Sequence, residues 1–361
     1  MKVAYFSNTD FSLYNFRLGL MKKMKEKGYT VYACASENRH SEKLKEEFHF
    51  KNFPLKRSVD LLGRDLLYFY RVYSFCRKEK PFLCHNFTIK PCIYATLAQR
   101  MAGVEQIYCT ITGVGYSFEK KGLLQKVVVF LYKRALKRTN KVIFQNPDDR
   151  QLFIDLGIVK EGELIKSSGV DTEKFSQIKE EKEDVTVTLI SRMLYTKGVR
   201  EFVEAAKEIK GAKFLLVGPM DKENPEAVTE KQMEEWKKYV QYLGETENTK
   251  EILSKTDIFV LPSYYREGVP KVLLEAGAMG LPLITTNTSG CRETVDDAVN
   301  GFLIKPKKKK ELIKKLNILI NDKDLRRRMG QASREKVEKE FDEKMVVEKT
   351  IKCYHLEHEE R

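Results

Sequence analysis

The chain has 361 residues, 42% of them hydrophobic, and a formal net charge of +14. That length is long for one core and natural for two domains, and the apolar fraction excludes a disordered chain. No run of 18 apolar residues is present to cross a bilayer as a helix, and seven cysteines without a Cys-x-x-Cys pair exclude a disulfide scaffold or a structural zinc site of that type.

The first predicted element is a strand over residues 2–7; the segment Met1-Lys2-Val3-Ala4-Tyr5-Phe6 reads as that strand rather than as a signal peptide. The loop from Asn8 then leads into a helix and carries Arg17 to the carboxyl edge of the sheet, where a guanidinium can meet an anion. Gly28 closes that helix, and residues 30–35 form the second strand. Two further stretches, 66–75 and 126–138, interleave bases with aromatics at helical spacing. They matter because the charge is uneven: residues 1–150 hold 28 Lys plus Arg against 13 Asp plus Glu, whereas residues 151–361 hold 38 against 39. A cationic, aromatic-rich face suits an anionic membrane surface; equally, the aromatics can be core and the bases a solvated rim. Nucleic acid is the other partner for a basic face, but no recognised binding module occurs, so none is expected.

Beyond a crossing at Ser167-Ser168-Gly169-Val170-Asp171 and a Lys/Glu-rich connector over 174–184, residues 185–190 form a β-branched strand. It runs into Ser191-Arg192-Met193-Leu194-Tyr195-Thr196-Lys197-Gly198, and a helix follows over 199–209. Arg192 and Lys197 thus stand at a strand exit, where a planar fork and a point charge can clamp a diphosphate; the bland alternative is two exposed bases. Residues 257–263 read as a buried strand and 281–286 as the next, with a helix from about Pro270 to Met279 between them. This βαβ unit puts Glu267 and Gly268 in the loop before the helix and Glu275 in its second turn. A helix N-terminus receives phosphate while two carboxylates accept from sugar hydroxyls, a combination suited to a nucleotide sugar. Two solvated carboxylates on a surface loop and helix are the plain alternative.

Taken in order, Ser191-Arg192 with Lys197-Gly198, Val217-Gly218-Pro219, Leu243-Gly244, Leu261 to Pro270, Leu274-Glu275-Ala276, Gly290-Cys291-Arg292-Glu293 and Asn300-Gly301-Phe302-Leu303 resemble the family 4 glycosyltransferases. The resemblance implies an α/β fold of two Rossmann-like, doubly wound parallel-sheet domains facing across a cleft, the arrangement called GT-B. It implies an acceptor and membrane-facing domain over 1–166, a nucleotide-sugar donor domain over 167–340, and a C-terminal helix within 341–361 returning to the first domain. Its members are retaining and the arrangement requires no metal or other cofactor beyond the nucleotide-sugar co-substrate. Arg192, Lys197 and the N–H groups of Gly268, Val269, Pro270 and Lys271 (proline contributing none) are expected to hold the leaving diphosphate. Glu275 is expected on the ribose, Gly244 near the base and Glu267 on the donor sugar.

His85-Asn86-Phe87-Thr88-Ile89-Lys90-Pro91 resembles a stretch of lipid-directed members, which implies that His85, Thr88 and Lys90 contact the acceptor's diphosphate or sugar; for His85 a direct catalytic role stands beside the structural one that a lone histidine commonly has. Thr112-Gly113-Val114-Gly115 lacks the third glycine of a dinucleotide fingerprint; Gly113 and Gly115 are expected to let the backbone approach the acceptor, and the loop 116–125 to gate it. The segments around Tyr264-Tyr265-Arg266 and Gly290-Cys291 resemble bacterial enzymes that extend undecaprenyl-diphosphate-linked sugars with N-acetylhexosamines from UDP donors. Such an enzyme is expected in the cytoplasm, peripheral at the inner face of the plasma membrane. A related enzyme with a soluble acceptor, or a nucleotide-sugar binder without catalysis, shares the donor motifs and stays open.

Overall fold

The computed structural model describes residues 1–55, 63–115, 118, 122–176, 184–222 and 224–356. The chain divides into two compact units, Met1–Gly169 with Glu343–Arg361, and Val170–Asp342. The expected gating loop over 116–125, most of the connector over 174–184 and the chain beyond 356 lie largely or wholly outside the described residues.

The first unit is built on strands β1 (Lys2–Thr9), β2 (Thr30–Ser36), β3 (His49–Asn52), β4 (Leu83–Phe87), β5 (Gln106–Ile111), β6 (Lys141–Phe144) and β7 (Glu163–Leu164), ordered β3-β2-β1-β4-β5-β6-β7. The second uses β8 (Val185–Ile190), β9 (Ala212–Val217), β10 (Gln241–Tyr242), β11 (Ile258–Leu261), β12 (Leu283–Thr286) and β13 (Gly301–Ile304), ordered β10-β9-β8-β11-β12-β13. Every pairing between these strands is parallel. Helices cover the sheet faces, so central strands such as β4, β5 and β11 are buried throughout, and β11 reads as a continuous apolar run. Each sheet reverses its winding once, between β1 and β4 in the first unit and between β8 and β11 in the second. Ligands of open α/β sheets bind outside the carboxyl ends of the strands at such switch points.

Two differences from the sequence reading move site residues. The first helix spans Asp10–Glu26 and follows β1 directly, because Thr9 caps it by accepting from the Ser12 amide at 3.2 Å. Arg17 therefore rides on the helix two turns in, not on a preceding loop. In the second unit the helix is Lys271–Ala278 and Pro270, with ψ of 117°, occupies the cap rather than the first turn.

The C-terminal helix Glu343–Lys352 belongs to the first unit, where Val347, Ile351 and Tyr354 join the core formed with Leu13, Leu20 and Met24 of the first helix. Among the described residues no helix is long and apolar enough to cross a membrane.

Candidate active site

The switch point of the second unit is stitched together by one carbonyl. The loop after β8 turns through Tyr195–Lys197, and the Thr196 oxygen accepts from the amides of Tyr264 and Tyr265, at 2.9 and 3.2 Å, in the loop after β11. Gly198, with φ of 75°, closes the turn where a methyl group would fall on the Pro262 carbonyl. The Ser263 hydroxyl donates to Glu267 Oε1 at 2.8 Å, and Lys197 Nζ lies 2.5 Å from Glu267 Oε2. Both charged side chains are largely covered, at 11% and 16% exposed. Lys197 and Glu267, 70 positions apart in sequence, thus form one ion pair at the carboxyl edge of the sheet. Ser263, which the sequence showed only as the end of an apolar run, fixes the rotamer of that carboxylate.

The other expected donor residues belong to the same unit. Arg192 leaves β8 and donates to Asp221 Oδ2 at 2.6 Å, an orienting partner that the sequence did not flag. The Gly244 carbonyl accepts from the Gly218 amide at 2.7 Å. Gly268 is backed by Gly290, whose φ of 79° and contact with the Gly268 carbonyl leave no room for a side chain. Val269 is buried and Pro270 caps the helix that Lys271 begins. Glu275 sits in that helix; burial raises its pKa, offset in part by Lys271, a hydrogen bond with Thr249 and Lys174.

In the first unit the structure redraws the expected acceptor residues. His85 lies in the middle of β4 with no exposed surface; Nδ1 is 2.6 Å from the Tyr354 hydroxyl and Nε2 is 2.7 Å from Thr110 Oγ1. With both ring nitrogens engaged inside the unit, His85 offers none to a substrate, so the expected direct catalytic role gives way to a positioning one. Burial first, and the neighbouring Arg17 charge second, push its pKa well below the usual value.

Lys90 Nζ is 2.7 Å from Asp65 Oδ1, a carboxylate only 2% exposed. Thr88 follows β4 with φ of 67°, a conformation that costs a β-branched residue on the order of 1–3 kcal/mol. A π-helical turn, Pro91–Ala95, comes next. Gly113 and Gly115 follow β5 with φ of 121° and 61°. Strain after β4 and glycines after β5 place irregular backbone at the carboxyl edge beside the β1–β4 switch.

A consequence can be measured. Because the folded state resists protonating His85 while the unfolded chain takes a proton near pH 6.5, stability from this group is present above that pH and is lost as pH falls below it. The slope approaches about 1.4 kcal/mol per pH unit. His85→Gln keeps hydrogen-bonding atoms and removes the titration; urea unfolding from pH 7 to 5 is expected to show a shallower loss in the variant.

The family models agree with this division. One described as glycosyl transferases group 1 matches residues 170–336, and one described as glycosyl transferase 4-like matches residues 2–146. The chain belongs to the family 4 glycosyltransferases. Among curated relatives of this glycosyltransferase, the N,N'-diacetylbacillosaminyl-diphospho-undecaprenol α-1,3-N-acetylgalactosaminyltransferase of Campylobacter jejuni is 28% identical and aligns over 98% of both chains. The UDP-Gal:α-D-GlcNAc-diphosphoundecaprenol α-1,3-galactosyltransferase of Escherichia coli is 29% identical over 69% of each. The fold matches that of a glycosyltransferase from Rickettsia africae, with a TM-score of 0.82 and 17% identity over 98% of this chain and 97% of that one. It also matches Anabaena HepE in complex with UDP and glucose, with a TM-score of 0.81 and 17% identity over 98% of both chains.

Proposed function

We propose that this glycosyltransferase moves a sugar, an N-acetylhexosamine in our reading, from a UDP donor to a saccharide linked to polyprenyl diphosphate, with retention of anomeric configuration, during bacterial glycan assembly. The observation that carries the proposal is the end-to-end match to a Campylobacter enzyme named for such an acceptor and sugar.

The Lys197–Glu267 pair fits the chemistry. A sugar hydroxyl donating to Glu267 and a phosphate oxygen accepting from Lys197 are adjacent, so one charge pair spans the glycosidic bond that breaks. As that bond lengthens, negative charge grows on the diphosphate, where Lys197, Arg192 and the amides around Gly268 to Lys271 stabilise it more than they stabilise the donor. Glu275 holds the ribose and the backbone at Gly244 meets the base. An acceptor hydroxyl attacks on the face the diphosphate leaves, and its proton passes to the departing phosphate oxygen, which leaves Glu267 as a binder rather than a nucleophile. No metal takes part in these steps.

The test is UDP release from a panel of UDP-sugars, with and without a short polyprenyl-diphosphate-linked saccharide, in buffer with and without EDTA. Acceptor-dependent release that survives EDTA supports the reading. Release lost to EDTA overturns the metal-free mechanism, and no release from any pair overturns the assignment.

We also propose that the first unit rests on an anionic membrane surface, at the inner face of the plasma membrane. Helices Arg64–Glu79 and Leu123–Leu136 both pack against residues 91–102. Their aromatic stripes divide: Tyr68, Val72 and Tyr132 go to the core, while Leu66, Leu67, Tyr70, Leu123 and Phe130 face outward among exposed Arg64, Arg71, Lys126, Lys133 and Arg134. Each base near an anionic surface contributes about 1 kcal/mol. Replacing Lys126, Lys133 and Arg134 together by Gln is expected to reduce co-sedimentation with phosphatidylglycerol vesicles by about 100-fold in partition coefficient. Unchanged partition would remove this surface from the account.

A further inference from the structure

Among the described residues Arg17 is a buried cation without a counter-ion. It is 8% exposed, its Nε is buried with no hydrogen-bond partner, and no described residue gives its guanidinium a hydrogen bond or an ion pair. An aromatic face packs on it: the guanidinium carbon lies 4.2 Å from the centroid of Phe87, the last residue of β4. Burial pulls its pKa down to about 10, so the group remains charged at neutral pH in surroundings that penalise the charge. A ring face offsets part of that penalty, but it supplies no acceptor for the guanidinium N–H groups.

The setting decides what the missing partner is. Arg17 projects from the helix after β1 onto the end of β4, the two strands that flank the switch point of this sheet. Thr88, in its left-handed conformation, is the next residue after Phe87. His85, two residues before Phe87 on the same face of β4, is held neutral between Tyr354 and Thr110, so it neither competes for an anion nor repels Arg17. Stacking fixes the plane of the guanidinium and leaves its fork for a bidentate acceptor.

We propose that Arg17 is the diphosphate-recognition group of the first unit, receiving the phosphate oxygens of a diphosphate-linked ligand while Phe87 orients it and neutral His85 positions that strand. The fork suits a bidentate oxyanion; that this is the diphosphate of a lipid-linked acceptor rests on the function proposed above. Phe87 and His85 are positioning residues in this scheme, and Arg17 alone touches the ligand.

The experiment is calorimetric titration of the full chain, saturated with UDP, with farnesyl diphosphate, inorganic pyrophosphate and farnesol, comparing the parent with Arg17→Gln and Arg17→Lys. Loss of a bidentate, charge-assisted contact is expected to weaken farnesyl diphosphate binding about 10- to 100-fold in Arg17→Gln. Arg17→Lys should recover part of the loss, farnesol should bind equally weakly to all three proteins, and UDP affinity should not change. Equal affinity of parent and Arg17→Gln for both diphosphates, with matched melting temperatures, overturns the proposal. If the variant fails to fold, the same comparison between parent and Arg17→Lys decides it, because a point charge cannot reproduce the fork. Pyrophosphate bound as tightly as farnesyl diphosphate, and lost with Arg17, keeps the diphosphate site but removes its lipid source. Arg17-dependent binding without sugar transfer keeps the site and overturns the function.

Discussion

Lys197→Ala is expected to lower the rate of sugar transfer about 100- to 1,000-fold, the range found when one preorganised donor to a developing negative charge is removed. The loss should fall mainly on kcat, because charge on the leaving diphosphate is greatest in the transition state. The substitution also removes the Lys197 ammonium from Glu267, which is 16% exposed in the parent and also accepts from Ser263. Lys197→Arg separates the two effects. It restores a counter-ion for Glu267 but cannot place a point charge where the ammonium sat, so it should recover thermal stability more fully than rate. Steady-state kinetics beside melting curves for both variants checks this. A rate within threefold of the parent in Lys197→Ala, a margin of about 0.6 kcal/mol, would remove Lys197 from the transition-state account.

Gly290→Ala is expected to cost about 2–5 kcal/mol of folding stability, combining about 1–2 kcal/mol for a left-handed alanine with about 1–3 kcal/mol for overpacking. The position has φ of 79°, and the new methyl would lie on the carbonyl of Gly268 and against that of Glu267. Both are backbone atoms, so no side chain can swing aside. Relief has to come from movement of the loop that carries Glu267, and the variant should lose donor affinity along with stability. Urea unfolding and UDP binding measure the two effects; parent-like values in both would show that this loop tolerates displacement. The same substitution at Gly28, where nothing lies within 4 Å of the new methyl, should carry only the conformational part of the cost.

The two cases show which features a sequence makes legible. Strands β8 and β11 are buried and bounded by Pro, Ser and Asp, so the β-branched run of the first, the apolar run of the second and the βαβ unit from β11 to β12 read directly from the sequence. Glu267 and Gly268 before a helix, and Arg192 and Lys197 after a strand, are local features, and the fold leaves them at the carboxyl edge where such loops must fall. What the sequence withheld is contact across long separations. Tyr354, 269 residues from His85, turns a candidate catalytic imidazole into a buried, doubly bonded strut. Asp65 ties up Lys90 from 25 residues away, and Asp221 takes Arg192 from 29.

Some of this was readable in principle. His85 occupies the same face as Leu83 and Phe87 in a five-residue strand buried throughout, which predicts an interior ring rather than an exposed one. Thr9 three residues before Ser12, with Asp10 in the first turn, is a helix start, and reading it would have put Arg17 on the helix. The isolation of Arg17 has no sequence signature, since it depends on no described residue pairing with it. Only the packed unit reveals it.

The most direct test of the central claim is transfer of radiolabel from a UDP-N-acetylhexosamine into organic-extractable product, using a short polyprenyl-diphosphate-linked saccharide and comparing the parent with Glu267→Ala. The account predicts labelled lipid from the parent, none without the lipid-linked acceptor, and a loss of at least about 100-fold in Glu267→Ala, the scale of a removed transition-state contact. Label found only in free sugar, or equal lipid labelling by parent and variant, would contradict it.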